Sequence, residues 1–199
     1  ESGHGTHVAG IIAATVDNEA GIAGVAPGVR IMPLRAGFNL PQGSFLEDDD
    51  IAAAIVYAVE NGAHILNMSW GSPHFSPLIR DAVRFAEQAG CVMVAAAGNE
   101  GEGAVFIPAR LDETIAVAAA DLQNRILSFS IPGYSIDLAA PGQNILSLEP
   151  GGGYVVRSGT SMAAPHVTGL AALVLARSPH FNSTAVKGVM LAAAKDVGA

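Results

Sequence analysis

A serine at the start of a helical stretch is the first candidate for chemistry. The segment 158–166 reads SGTSMAAPH, which places Ser161 between a Gly-Thr turn and an apolar stretch of helical character. The first turn of a helix carries partial positive charge and N–H groups without helical partners, so it can stabilise an oxyanion beside a nucleophile. Ser161 is therefore a candidate nucleophile. The alternative is that Thr160 or Ser161 only caps the helix.

Two histidines near the beginning of the chain are candidate bases. His4 and His7 lie three residues apart in the run GHGTHVAG at 3–10. A histidine that lies near a serine in space can act as its general base. A zinc site is disfavoured, because the chain has no HExxH motif and no Cys/His pair nearby. The alternative is a pair of hydrogen-bonded structural histidines.

An asparagine in a glycine-rich turn is a candidate oxyanion donor. Asn99 lies in the segment AGNEG at 97–101, directly after an apolar run. A side-chain amide that projects into a cleft can donate a hydrogen bond to an oxyanion. The alternative is an ordinary turn, since asparagine and glycine together mostly mark turns.

Helices and apolar strands that would position these residues alternate along the chain. Helices are predicted at 51–60, 78–89, 160–176 and 185–194, with starts marked by Asp48–Asp50, Ser76-Pro77 and Ser183 or Thr184. Short, mainly apolar runs at 29–34, 64–68, 91–96 and 114–119 lack clean polar/apolar alternation, which predicts strands buried on both faces. This order predicts an α/β three-layer sandwich with a mostly parallel sheet and helices on both faces. Ligand sites in such folds lie at the carboxyl ends of the strands.

The composition excludes several classes of protein. The 199 residues are 50% hydrophobic and 14% charged, which excludes a disordered chain and a coiled coil and predicts one domain over 1–199. The net charge is −8 without a basic cluster, so nucleic-acid binding is not expected. The longest apolar run, 162–176, is interrupted by Pro165, His166 and Thr168, so no membrane span is expected. A single cysteine excludes an intrachain disulfide framework.

Together the three motifs resemble those of the subtilisin-like serine proteases, and they occur in the order found in that family. GHGTHVAG at 3–10 resembles the histidine motif, AGN at 97–99 the oxyanion motif, and GTSMAAPHV at 159–167 the serine motif. The resemblance implies a subtilisin-like fold in which Ser161 is the nucleophile and His4 the general base. It also implies that Asn99 and the Ser161 N–H stabilise the oxyanion, and that His7 is structural.

The resemblance extends to the binding of an extended polypeptide substrate. It implies two walls of the primary pocket: one formed by Ser69, Trp70 and Gly71, the other by Ala96, Ala97 and Gly98. A second substrate-pairing strand is expected near Gly43-Ser44. With Glu100 at the rim, we expect a preference for large apolar residues before the cut and some tolerance for basic ones. The alternative for Trp70 is an ordinary core position.

Calcium is the cofactor that the resemblance implies. The segment 15–22 resembles a calcium-binding loop of the family, with ligand atoms from Thr15, Asn18, Ala20 and Ile22. Oxygen ligands of this kind suit calcium. The other ligands of that site lie upstream in the family, so a plain polar turn is the alternative. Ala109, Leu111 and Thr114 resemble a second, weaker cation site made of carbonyl groups.

One part of the family pattern does not occur in the sequence. The triad aspartate precedes the histidine in an Asp-Thr-Gly or Asp-Ser-Gly turn, and residues 1–199 contain neither tripeptide. We therefore expect the chain to correspond to the C-terminal majority of a catalytic domain and to be nearly inactive by itself, with Glu1 as the alternative orienting acid. The family implies a secreted, monomeric enzyme with its own propeptide as a partner. The rival functions are a non-catalytic protein-binding module and a different serine hydrolase such as an esterase.

Overall fold

A computed structural model describes residues 3–40 and 43–196, which form five helices and eight strands. The helices are α1 His4–Ala13, α2 Asp48–Glu60, α3 Pro77–Gln88, α4 Thr160–Arg177 and α5 Ser183–Ala193. The strands are β1 Gly37–Leu40, β2 Gly43–Leu46, β3 Ile65–Met68, β4 Val92–Ala96, β5 Ile115–Ala120, β6 Leu138–Pro141, β7 Ile145–Leu148 and β8 Tyr154–Arg157.

The central sheet is parallel, with the strand order β3-β4-β5-β6. Two antiparallel hairpins, β1-β2 and β7-β8, lie outside this sheet. Because parallel neighbours run in the same direction, the carboxyl ends of β3 and β4 meet at one edge. The predicted α/β fold with a mostly parallel sheet is confirmed.

The sheet is buried on both faces, as its apolar strands predict. Along β4, Met93 and Ala95 pack in one core cluster with residues of α2 and α3. Val92, Val94 and Ala96 point the other way, into a second cluster with α4 and α5. Because alternate side chains of a strand point to opposite faces of the sheet, the apolar residues of β4 contribute to both core clusters.

The four predicted helices are present as α2 to α5, and most of their boundary signals are confirmed. The Ser76 hydroxyl accepts a hydrogen bond from the Ile79 N–H at the start of α3, with Pro77 in the first turn. The prediction that Ser183 or Thr184 caps α5 is wrong. The cap is Asn182, whose side chain accepts from the Ala185 N–H, because asparagine one residue earlier is an equally good cap.

The predicted strand at 29–34 is absent. This segment has no helix or strand, and Val29, Ile31, Met32 and Leu34 are 37–42% exposed. A strand needs a hydrogen-bonded neighbour, and among the described residues β3 has only β4 beside it. Within residues 3–40 and 43–196, no strand pairs with this apolar run.

Sequence reasoning did not predict α1, which positions both candidate histidines. Val8, Ile11 and Ile12 of this helix form a third cluster with Met162 of α4. The contact joins the beginning of the chain to the helix that carries Ser161. None of the helices in the described part of the chain combines the length and hydropathy that a bilayer crossing requires.

Candidate active site

The three candidate residues for chemistry line one open cleft of about 380 Å³. His4 is the first residue of α1, Asn99 follows β4, and Ser161 is the second residue of α4. The other lining residues are Arg157, Ser158, Gly159 and Met162. Of the described residues that line the cleft, none carries a carboxylate. Glu1, the alternative orienting acid, lies outside the described residues.

Ser161 is held by reciprocal hydrogen bonds with Ser69. The Ser161 Oγ donates to the Ser69 carbonyl at 3.1 Å, and the Ser69 Oγ donates to the Ser161 carbonyl at 2.9 Å. The residue at the helix cap is Gly159, and no side chain caps α4. The alternative that Thr160 or Ser161 only caps the helix is therefore wrong. In the first turn, the Thr160 N–H donates to the Asn99 Oδ1, and the Met162 and Ala163 N–H groups donate to the Gly159 carbonyl at 3.0 and 3.3 Å.

Asn99 is oriented by the residue that precedes the candidate nucleophile. Its Oδ1 accepts from the Thr160 N–H at 2.8 Å and from the Thr160 Oγ1 at 3.0 Å. The fully buried Thr160 hydroxyl also accepts from the Gly98 N–H at 3.2 Å. Because donors hold Oδ1, the Nδ2 group is the end of the amide left to serve an oxyanion.

The environment of His4 favours its neutral form. Burial lowers the pKa of His4 below the ordinary histidine value of 6.5, and the positive charge of Arg157 lowers it further. A neutral imidazole is the form that can accept a proton from a serine hydroxyl. Arg157, which sequence reasoning missed, therefore influences the candidate base from the same cleft.

His7 has the contacts of a structural residue. Its ring is fully buried, and Nε2 lies 3.1 Å from the carbonyl oxygens of both Ile145 and Val155. A ring nitrogen between two carbonyls carries the proton, so it ties α1 to the β7-β8 hairpin. The Ser147 hydroxyl donates to the His7 carbonyl at 2.7 Å and strengthens the same junction.

The two expected pocket walls lie at the carboxyl ends of neighbouring strands. Ser69, Trp70 and Gly71 follow β3, whereas Ala96 ends β4 and leads into Ala97 and Gly98. Trp70 is half-buried and packs against the core cluster of α2 and α3, as its core alternative predicts. Gly43 and Ser44, expected to pair with substrate, belong to β2 and pair with Leu40 and Asn39 of β1.

The expected calcium loop lines a separate cavity. A cavity of about 470 Å³ is lined by residues 15–23, which include Thr15, Asn18, Ala20 and Ile22. The donor atoms available there are oxygens, which suit calcium. The Asn18 Oδ1 already accepts a bond from the Ala20 N–H at 3.2 Å. Within residues 3–40 and 43–196, no cluster of three or more His, Cys, Asp or Glu side chains could hold a metal.

The expected second cation site has protein donors at its carbonyl groups. The carbonyl oxygens of Ala109 and Leu111 accept from the Thr114 hydroxyl at 3.1 and 2.9 Å. The Thr114 carbonyl accepts from the Lys187 Nζ at 2.9 Å. An ammonium group of the protein thus supplies the positive charge at one of the three expected ligands.

Comparison with known proteins agrees with the motifs and the fold. The model of the subtilase family, peptidase S8, matches residues 1–199. The chain is 40% identical to Subtilisin Savinase of Lederbergia lenta, covering 99% of this chain and 72% of that protein. It is 47% identical to the Thermophilic serine proteinase of Bacillus sp. (strain AK1), covering 86% of this chain and 42% of that protein.

Solved structures give the same result. Sphericase superposes with a TM-score of 0.89 at 37% identity, covering 98% of this chain and 70% of that one. A cold-adapted subtilisin-like serine proteinase gives a TM-score of 0.89 at 33% identity, covering 98% and 69%. The chain thus spans between about two fifths and three quarters of these relatives. It belongs to the subtilase family.

Proposed function

We propose that the intact protein is a serine endopeptidase that hydrolyses peptide bonds through an acyl-enzyme at Ser161. The observation that carries the proposal is the meeting of Ser161, His4 and Asn99 from three separate elements in one cleft. Relatives named as proteases support it.

In the proposed acylation, each of these groups has its own role. The Ser161 Oγ, which now donates to the Ser69 carbonyl, turns towards His4, and His4 accepts its proton as Oγ attacks the scissile carbonyl. The oxyanion accepts hydrogen bonds from the Asn99 Nδ2 and from the Ser161 N–H. His4 then protonates the leaving amine, and water, activated by the same histidine, hydrolyses the ester at Ser161.

The acid that orients His4 is proposed to come from sequence outside residues 1–199. Two features support this: the edge of β3, which has no neighbour among the described residues, and the exposed apolar segment 29–34. A further strand would cover both surfaces and place a side chain at the carboxyl end of the sheet, beside the cleft. The greater length of the relatives agrees with this.

Calcium, secretion and the partners follow from family resemblance. We propose a structural calcium ion in the loop 15–22, held by the oxygens of Thr15, Asn18, Ala20 and Ile22, where it would stiffen an exposed loop. We also propose a secreted monomer that acts on polypeptides, has its own propeptide as a partner, and binds neither nucleic acid nor membrane. The rival proposal is a non-catalytic binding module.

Hydrolysis of a protein substrate by matched serine variants tests the proposal. The test uses the gene product with whatever sequence surrounds residues 1–199. Ser161→Ala should abolish release of casein fragments, whereas Ser158→Ala, at a second serine lining the same cleft, should retain it. If the unsubstituted protein is folded and binds polypeptides but releases no fragments, the binding module is the better description.

A further inference from the structure

The space between the two expected pocket walls contains the side chain of Phe106. A Cβ atom built on Gly71 would lie 2.9 Å from the Phe106 Cβ, and one built on Gly98 would lie 3.0 Å from the Phe106 Cγ. One phenylalanine therefore lies against both walls. Both positions are glycine, so the ring lies directly against the backbone on either side.

The backbone of Phe106 is fixed from both sides. The Phe106 N–H donates to the Ala97 carbonyl at 3.0 Å, which attaches it to one wall. The Ile107 N–H donates to the Ser72 carbonyl at 2.9 Å, and the Ser72 N–H donates back at 3.0 Å, which attaches it to the other. The segment 106–107 therefore bridges the two walls.

Packing holds the side chain in this position. Phe106 is half-buried against the core cluster of α2 and α3, together with Trp70. The Ile131 Cδ1 lies at the same face of Gly98, 2.6 Å from a Cβ built there. Because these surroundings are packed closely, a second aromatic ring would not fit beside Phe106 without strain.

We propose that Phe106 fills the inner part of the primary pocket and restricts the residue before the scissile bond to small side chains, such as alanine or serine. The proposal rests on the proposed function, because it takes the two walls as the binding site of that residue. It differs from the expected preference for large apolar residues, because the Phe106 side chain lies against both Gly71 and Gly98.

Two peptides that differ only in the residue before the cut test the proposal. One carries alanine and the other phenylalanine, and both are fluorogenic substrates of the full-length protein. We expect kcat/KM for the alanine peptide to exceed that for the phenylalanine peptide by about tenfold or more. Equal cleavage, or a preference for phenylalanine, would overturn the proposal.

Substitution at Phe106 tests whether its ring causes the preference between the two peptides. Phe106→Ala should raise the phenylalanine-to-alanine ratio of kcat/KM by about tenfold or more, and Phe106→Leu should raise it less. Phe85→Ala, a matched change at a 41% exposed position on α3, should leave the ratio unchanged. An unchanged ratio in both folded Phe106 variants would contradict the proposal.

Binding without turnover distinguishes this proposal from the proposed function. In the Ser161→Ala protein, fluorescence anisotropy measures the Kd of each labelled peptide. If the unsubstituted protein is inactive yet the Ser161→Ala protein binds the alanine peptide more tightly, the proposed activity fails and the restricted pocket stands. If both peptides bind equally, or neither binds, the restricted pocket is overturned.

Discussion

Ser161 and Ser69 exchange two hydrogen bonds, each hydroxyl donating to the carbonyl of the other residue at 3.1 and 2.9 Å. They lie 92 positions apart in the chain, at the start of α4 and just beyond β3. The contact holds the candidate nucleophile against one of the two expected pocket walls. The Ser161 hydroxyl also remains hydrogen-bonded to the Ser69 carbonyl until another acceptor competes for its proton.

A hydrogen-bonded chain behind Ser69 should stabilise this contact. The buried Thr168 hydroxyl donates to the Asn67 Oδ1 at 2.7 Å, and the Asn67 Nδ2 donates to the Ser69 Oγ at 2.9 Å. Thr168→Val removes the donor to Asn67, and we expect it to lower the free energy of unfolding by about 1–3 kcal/mol. Urea denaturation measures this, with the exposed Thr184→Val as the matched control. An equal loss in both variants would contradict the role of the chain.

Asn99 should contribute to turnover more than to substrate binding. Asn99→Ala removes the side-chain donor, and we expect kcat to fall by ~10²–10³ with little change in KM, the range known for this change in the relative subtilisin. Steady-state kinetics on a single peptide gives both values. Thr160→Val, which leaves Asn99 in place but removes one of its two anchors, should reduce kcat less. A rise in KM at constant kcat would assign Asn99 to ground-state binding instead.

Arg157 should set the pH at which the candidate base becomes protonated. Its positive charge lowers the pKa of His4, so Arg157→Gln should raise that pKa. The acidic limb of kcat/KM against pH should then move to higher pH, because His4 must be neutral to accept a proton. Arg177→Gln, at the exposed end of α4, removes the same charge farther along the chain and should leave the limb in place. A shift to lower pH would contradict this assignment.

Lys187 should stabilise the packing of α5 on the sheet without affecting the cleft. Its Nζ lies 2.9 Å from the Asp137 carboxylate and 2.9 Å from the Thr114 carbonyl. Lys187→Met leaves both acceptors without this donor, and we expect a loss of about 1–3 kcal/mol in unfolding free energy. The exposed Lys195→Met is the control, and thermal denaturation together with peptide kinetics measures both effects. A fall in kcat at unchanged stability would contradict a purely structural role.

The elements predicted correctly from the sequence are those with strong local signals. The run at 91–96 is uninterrupted and apolar, and it forms β4 at the centre of the sheet. The helix α1 was missed because Gly5, Gly10 and two histidines give its sequence little helical propensity, and tertiary packing forms it instead. The segment at 29–34 shows the opposite case, since apolar residues alone do not make a strand without a partner.

In the candidate active site, too, the residues predicted from the sequence are those that lie in local motifs. The motifs around His4, Asn99 and Ser161 identified residues that the fold brings into one cleft. Arg157 and Phe106 carry no local signal, because their importance depends on what lies beside them in space. Phe106 is positioned by the bond from its N–H to the Ala97 carbonyl and by the paired bonds between Ile107 and Ser72, which no spacing along the chain reveals.

Labelling with a fluorophosphonate tests the central claim that Ser161 is an activated nucleophile. The natural protein is treated with the probe, digested, and the labelled residue is identified by mass spectrometry. We predict a single phosphonylated serine at Ser161, lost in Ser161→Ala and retained in Ser158→Ala. Absence of label on the folded natural protein, or label at another serine, would contradict the claim.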